Sequence, residues 1–201
     1  SWIQQIPQES VASTPWLMYW QGVCQQFVNP FEARVTLERA FDGFAVEEDV
    51  IGQMLAASTI IDIVYFLRES LLSTARWVEV LQKYLAKHLI FPSPSTEAQV
   101  LSSLFSVLMY MRPQDSGLPH YAERLNALLE SDLNVNQKVM MGSHLINYYV
   151  HVNGDIVTCE RIKLRLYGLL STPELSAINH IIWRSFAALP YLLAGKSDQA
   201  Y

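Results

Sequence analysis

The run Asn29-Pro30-Phe31-Glu32-Ala33-Arg34-Val35-Thr36-Leu37-Glu38-Arg39-Ala40-Phe41-Asp42-Gly43-Phe44 reads as a helix from its cap onward. The Asn29 side chain can accept from an orphan backbone N–H of the first turn. Pro30, at the first helical position, lacks an N–H that would have gone unpaired there. Glu32, three residues after the cap, suits a reciprocal capping arrangement. Ala33, Leu37, Ala40, Phe41 and Phe44 recur at steps of three and four and share one face, while Arg34, Glu38, Arg39 and Asp42 occupy the others.

The same signals recur outward from this run. Thr14-Pro15, Ser93-Pro94 and Thr172-Pro173 each set a capping side chain before a proline. Tyr121, Leu125, Leu128 and Leu129 follow helical spacing, as do Ile162, Leu166, Leu169 and Leu170. No stretch alternates with period two between hairpin-turn residues, so essentially no strand is expected. The pattern predicts helices over 14–28, 30–45, 48–67, 70–88, 95–111, 118–130, 134–152, 155–170 and 173–194. Short connections make consecutive helices antiparallel neighbours. Leu89 to Ser95, stiffened by Pro92 and Pro94, reads as a hairpin-to-hairpin connector and not as a domain boundary.

A weak internal repeat orders these helices. Tyr65, Tyr110, Tyr149 and Tyr191 stand near the ends of successive first helices, 45, 39 and 42 residues apart. Ser58, Ser103 and Gly142 lie seven residues before three of them, on the same face, where a small side chain lets the next helix come close. Gly154 and Gly195 each stand five residues before a small residue, Cys159 and Ala200. Each glycine suits the left-handed end of a helix, and each small residue a helix crossing. Recurrence near 40 residues signals stacked helix pairs that bury their apolar faces against one another. The expected fold is therefore all-α: about nine helices forming a right-handed superhelix of antiparallel pairs, an α-solenoid, with 1–201 as a single helical-repeat domain.

Trp16 to Phe44 resembles a divergent tetratricopeptide repeat, with Gly22 in the first helix and Ala33, Leu37 and Ala40 at the second-helix packing positions. The runs Pro15–Gly22, Phe31–Ala40 and Asp49–Gln53 are similar to the helical repeat region of bacterial signal-transduction ATPases. That group includes maltotriose-responsive and LuxR-type transcription activators. The resemblance implies a non-catalytic sensor or interaction segment, with an ATPase module before it and often a helix-turn-helix module after it. The missing initiator Met, and an end inside the expected second helix of the last pair, fit a piece of a longer multidomain protein. Later pairs depart from the repeat consensus, Glu79 and Gln82 standing where small or apolar residues are expected.

Composition narrows the function classes. The 14 Lys and Arg against 19 Asp and Glu give a net charge of −5. No run of three basic residues occurs, which argues against direct nucleic-acid binding. Leu175 to Leu193 is interrupted by Asn179, His180 and Arg184, whereas a membrane span needs about 20 mostly apolar residues. Cys24 and Cys159 are isolated, read as small buried residues, and fit a cytoplasmic setting. No phosphate loop, dinucleotide fingerprint or nucleophile elbow is present, and no catalytic residue or cofactor is expected. His144 and His151, seven apart, are too far separated to share a metal.

The candidate ligand or partner surface is a concave face lined by first helices: Trp16, Tyr19, Asp62, Ser106, His144, Asn147, His180, Trp183 and Arg184. Such aromatic anchors with a few polar groups suit a peptide, a partner domain or a small effector. His180 and Arg184, one turn apart, can clamp an anion, and Asp62 in an apolar run can receive a cationic group. Each also has a plainer structural reading, as core aromatic, interhelical ion pair or hydrogen-bonded polar group. Rival readings of the whole chain are a general protein–protein adaptor and an α/α enzyme such as a lyase or glycan hydrolase. The enzyme would need facing carboxylates across a deep pocket. An exposed apolar edge near the C-terminus also allows a homodimer.

Overall fold

The computed structural model describes residues 14–87, 89–193 and 195. Nine α-helices and no strand occur among them: α1 (Pro15–Gln25), α2 (Pro30–Val46), α3 (Val50–Phe66), α4 (Ala75–Leu85), α5 (Pro94–Met111), α6 (Leu118–Leu128), α7 (Val135–Tyr148), α8 (Ile156–Leu166) and α9 (Ala177–Leu193). They form two compact units, divided at Phe91 and Pro92 within the link that the sequence marks as a connector.

Most helix starts follow the sequence signals. Asn29 accepts from the Glu32 amide at 3.3 Å, and Ser93 from the Thr96 amide at 3.1 Å. Pro15 opens α1, although Thr14 makes no side-chain cap. Thr172-Pro173 does not start a helix. The last helix begins at Ala177, where Ser176 Oγ accepts from the Asn179 amide at 3.3 Å. Three expected helices also change geometry along their length. Leu71–Thr74 and Tyr167–Ser171 are tighter 3-10 turns beside α4 and α8, and Tyr149–Asn153 is a π turn closing α7. Hydrophobic spacing specifies a helical face without distinguishing these variants, since all three wind in the same sense.

In the first unit α1 packs on α2, α2 on α3, α3 on α4, and α1 on α3. The α3 sequence is apolar on every side, and the helix is buried without a break from Gly52 to Ile61. Two glycines permit close approach. A Cβ on Gly22 would lie 2.6 Å from Leu37 Cγ. A Cβ on Gly52 would lie 2.4 Å from the Phe44 ring. Phe44 and Leu37 are fully buried, and burial of such side chains contributes roughly 2–3 kcal/mol each.

In the second unit α5 packs on α6 and α7, and α7 packs on α6, α8 and α9. The period seen in the sequence becomes a physical register here. Ser95 bonds Gln137 at 3.0 Å and Ser102 bonds His144 at 3.0 Å, each 42 residues on. Asn147 donates to Tyr110 near the far ends of the same two helices. Ser95–Gln137 joins the helix starts, Ser102–His144 lies further along, and Asn147–Tyr110 joins the helix ends, so α5 and α7 run side by side in one direction. Asn136 extends the pattern by accepting from the Ser176 amide at 2.8 Å and from Asn179 Nδ2 at 2.9 Å. The second helices match it: Arg165 of α8 reaches the Asn126 carbonyl of α6 at 3.2 Å.

The small-residue positions behave as expected at Gly142, where a Cβ would sit 2.2 Å from Leu166 and 3.2 Å from Trp183. Ser58 and Ser103 are buried and turn their hydroxyls back onto their own helices. Gly154 and Gly195 both have φ of 69°, the left-handed conformation. Cys159 is buried, with its Sγ 3.6 Å from the Ile146 carbonyl of α7, while Ala200 lies outside the described residues. Cys24 is exposed, contrary to the reading of both cysteines as buried.

Candidate functional site

The nine candidate residues divide between the two units. Trp16, Tyr19 and Asp62 belong to the first; Ser106, His144, Asn147, His180, Trp183 and Arg184 belong to the second.

On α1, Trp16 is half-buried and donates its indole N–H to Asp49 Oδ2 at 3.1 Å. Asp49 also caps α3 through the Gly52 amide at 2.8 Å, so one carboxylate ties the starts of α1 and α3. The Trp16 ring meets Phe44 edge-on at 4.9 Å and Tyr19 at 5.8 Å. Tyr19 is buried. Asp62 is half-buried on α3.

In the second unit Ser106 is buried and donates to the Ser103 carbonyl within its own helix. His144 and Asn147 are buried between α5 and α7, where they make the register contacts described above. Burial pushes the His144 imidazole down to about 4, which keeps it neutral at pH 7. His151 is exposed in the π turn, and the seven-residue face shared with His144 is broken there. Trp183 is buried against Gly142. His180 is half-buried and Arg184 exposed, one turn apart on α9. Of the nine, Trp16, Asp62, His180 and Arg184 therefore retain solvent-accessible surface, while the five others are buried.

His144 and Asn147 lie one turn apart on α7. Their partners Ser102 and Tyr110 lie about 40 residues away, and only packing reveals that the two face a helix.

One concave feature has no counterpart in the sequence reading. A cavity of about 210 Å³ lies between the α1–α2 turn and the end of α3, lined by Gln26, Phe27, Pro30, Ile63, Phe66 and Leu67. Phe27 is 75% exposed, and Phe31 and Val28 also stand in solvent. The volume falls below the roughly 300–1,000 Å³ of small-molecule sites and is enough for a single side chain. Aromatic residues at a turn read equally well as core, so the sequence carried no sign of it.

Among the described residues no group of three His, Cys, Asp or Glu side chains is placed to hold a metal ion. Burial pushes the Cys159 thiol up to about 12, far from a reactive thiolate. No helix among the described residues is long and apolar enough to cross a membrane. No family model, curated protein or solved structure matches the chain.

Proposed function

We propose that the chain is a non-catalytic helical-repeat sensor or interaction segment of a multidomain signal-transduction or transcriptional regulator. In this reading the helix pairs continue as a right-handed superhelix. Its first helices line a concave groove that receives a peptide, a partner domain or a small effector. The observation that supports it best is the common register of α5, α7 and α9, held by polar contacts 37 to 43 residues apart. Modules built this way present successive first helices to a partner while their packing keeps the surface in shape. The similarity of Pro15–Gly22, Phe31–Ala40 and Asp49–Gln53 to signal-transduction ATPases supplies the regulatory part of the proposal.

The ligand-facing residues are those with accessible surface. Trp16 offers an aromatic edge, Asp62 a carboxylate for a cationic group, and His180 with Arg184 a clamp for an anionic one. Effector binding would bias a coupled module only through different affinity for its two states.

Thermal denaturation in the presence of maltooligosaccharides and a peptide panel tests this reading. A ligand present at about 100 times its Kd stabilises the bound chain by about 2.7 kcal/mol. We expect at least one member to raise the melting temperature, with the gain lost in Asp62→Asn or in His180→Ala/Arg184→Ala. A gain that survives all of these substitutions would remove the groove from the proposal. The reading frame encoding the chain tests the regulatory part: a phosphate-binding loop upstream supports it, and its absence from the complete protein refutes it.

A further inference from the structure

Large apolar side chains stand in solvent around the cavity of the first unit. Phe27 and Val28 belong to the α1–α2 turn, Phe31 to the first turn of α2, and Phe66 and Leu67 to the end of α3. The opening is framed on both sides by described elements, the α1–α2 turn and the end of α3, and the buried Ile63 lines it. Val28 is 86% exposed and Phe31 69%. With an aromatic side chain carrying about 200 Å², this group leaves roughly 500 Å² of apolar surface bare. That is at the upper end of what a monomer exposes in one patch. It is also more than half of the about 800 Å² that each partner buries in an ordinary specific complex.

Charge selects the occupant. From Thr14 to Phe31 the chain carries no charged residue. The first charge after the turn is Glu32, and the first after α3 is Arg68. Both are exposed, and neither forms an ion pair among the described residues, whereas nearby Arg34 is held by Glu69 at 3.0 Å. The patch is thus bordered by an acid on the α2 side and a base on the α3 side. A partner carrying one sign of charge would be drawn to one border and repelled by the other. A second copy carries both signs. A two-fold axis between the borders sets each border against the opposite one, so Glu32 faces Arg68 twice.

Shape favours the same occupant. Phe27 is 75% exposed beside a cavity large enough for a single side chain, so one surface offers both a knob and a hole. A two-fold interface requires this self-complementarity. We propose that the patch pairs two copies of the chain about a two-fold axis. Phe27 of each copy enters the cavity of the other, and Glu32 of each lies beside Arg68 of the other.

An interface of this size belongs to the weak, reversible class, so sedimentation equilibrium of the full chain from about 1 µM to 1 mM should show monomer and dimer in exchange. Phe27→Asp should raise the dissociation constant by about tenfold or more. Glu32→Arg and Arg68→Glu should each raise it by about threefold, and the two together should restore it. All three positions are exposed, so thermal melts should stay unchanged while pairing is lost. A chain that is monomeric throughout, a dimer indifferent to Phe27→Asp, or a double exchange no tighter than the single ones would overturn the proposal. So would a chain that stays monomeric yet binds a labelled tryptophan-containing peptide, with binding lost in Phe27→Asp, since the cavity then serves another protein. Self-association here does not depend on what the groove receives, so its failure and that of the sensor reading are separate results.

Discussion

The two units use similar helix pairs and hold them by different chemistry. In the first, apolar and aromatic contacts dominate: Trp16 on Phe44, Phe41 on Trp77, Gly22 against Leu37 and Gly52 against Phe44. Its polar links, Trp16 to Asp49, Tyr84 to Gln53 and Arg34 to Glu69, are only partly buried. In the second, polar contacts run along the seam of the first helices, and His144 and Asn147 sit in the interior. Apolar packing rewards any arrangement that fills space. A buried hydrogen bond rewards one register and penalises every slip that leaves a polar group unpaired.

The helix ends differ as well. In the first unit α2 and α3 turn out through non-glycine residues in the left-handed region, Glu48 at φ 57° and Arg68 at φ 53°. Backbone bonds from Asp49 to Phe44 and from Glu69 to Val64 close both turns in the Schellman pattern. The second unit uses Gly154 and Gly195 for the same conformation, without a Cβ to crowd the carbonyl.

These contrasts yield tests, the strongest first. Phe44→Ala leaves a cavity where α1, α2 and α3 meet and should cost about 4 kcal/mol, read by urea denaturation. A smaller cost than that of Trp183→Ala would mean that the aromatic cluster does not carry the first unit.

The next test is acid, which should strike the second unit selectively. His144 has a folded value near 4 and an ordinary value of 6.5, so between them the unfolded chain binds the extra proton. Its contribution is present above pH 6.5 and falls away as pH drops toward 4, a loss of roughly 3 kcal/mol. His144→Gln should flatten that part of the stability–pH profile, followed by amide exchange in α5 and α7. An unchanged slope would show that the imidazole is not held neutral by the seam.

Gly52→Ala should destabilise by about 2 kcal/mol, overpacking against the Phe44 ring outweighing the helix propensity gained. A rise in melting temperature would show that the ring can move aside. The smallest effect runs the other way. Arg68→Gly should stabilise by about 1 kcal/mol by relieving the left-handed cost, and Gly154→Ala should lose a similar amount. If both changes are neutral in thermal melts, the turns do not differ in strain.

Legibility in the sequence followed the same divide. Gly154 and Gly195 were visible because glycine advertises a left-handed turn, whereas Glu48 and Arg68 carried no such sign. The caps at Asn29 and Ser93 were readable because the relevant partner is three residues away. Thr172-Pro173 had the same local form, yet the last helix starts at Ala177, just after Ser176, whose amide donates to Asn136 of a distant helix. Among the candidate site residues, helical spacing located the polar and aromatic positions. It could not tell Arg184, in solvent, from Trp183, its neighbour in the core.

From sequence alone came the helical class, the places of nine helices and a period near 40 residues, because caps, turns and hydrophobic spacing act over a few residues. Only tertiary packing decided which polar groups join helices and which meet water. It also decided where helices tighten or loosen at their ends. Those outcomes depend on side chains brought together from about 40 residues apart, and local chemistry holds no record of the partner.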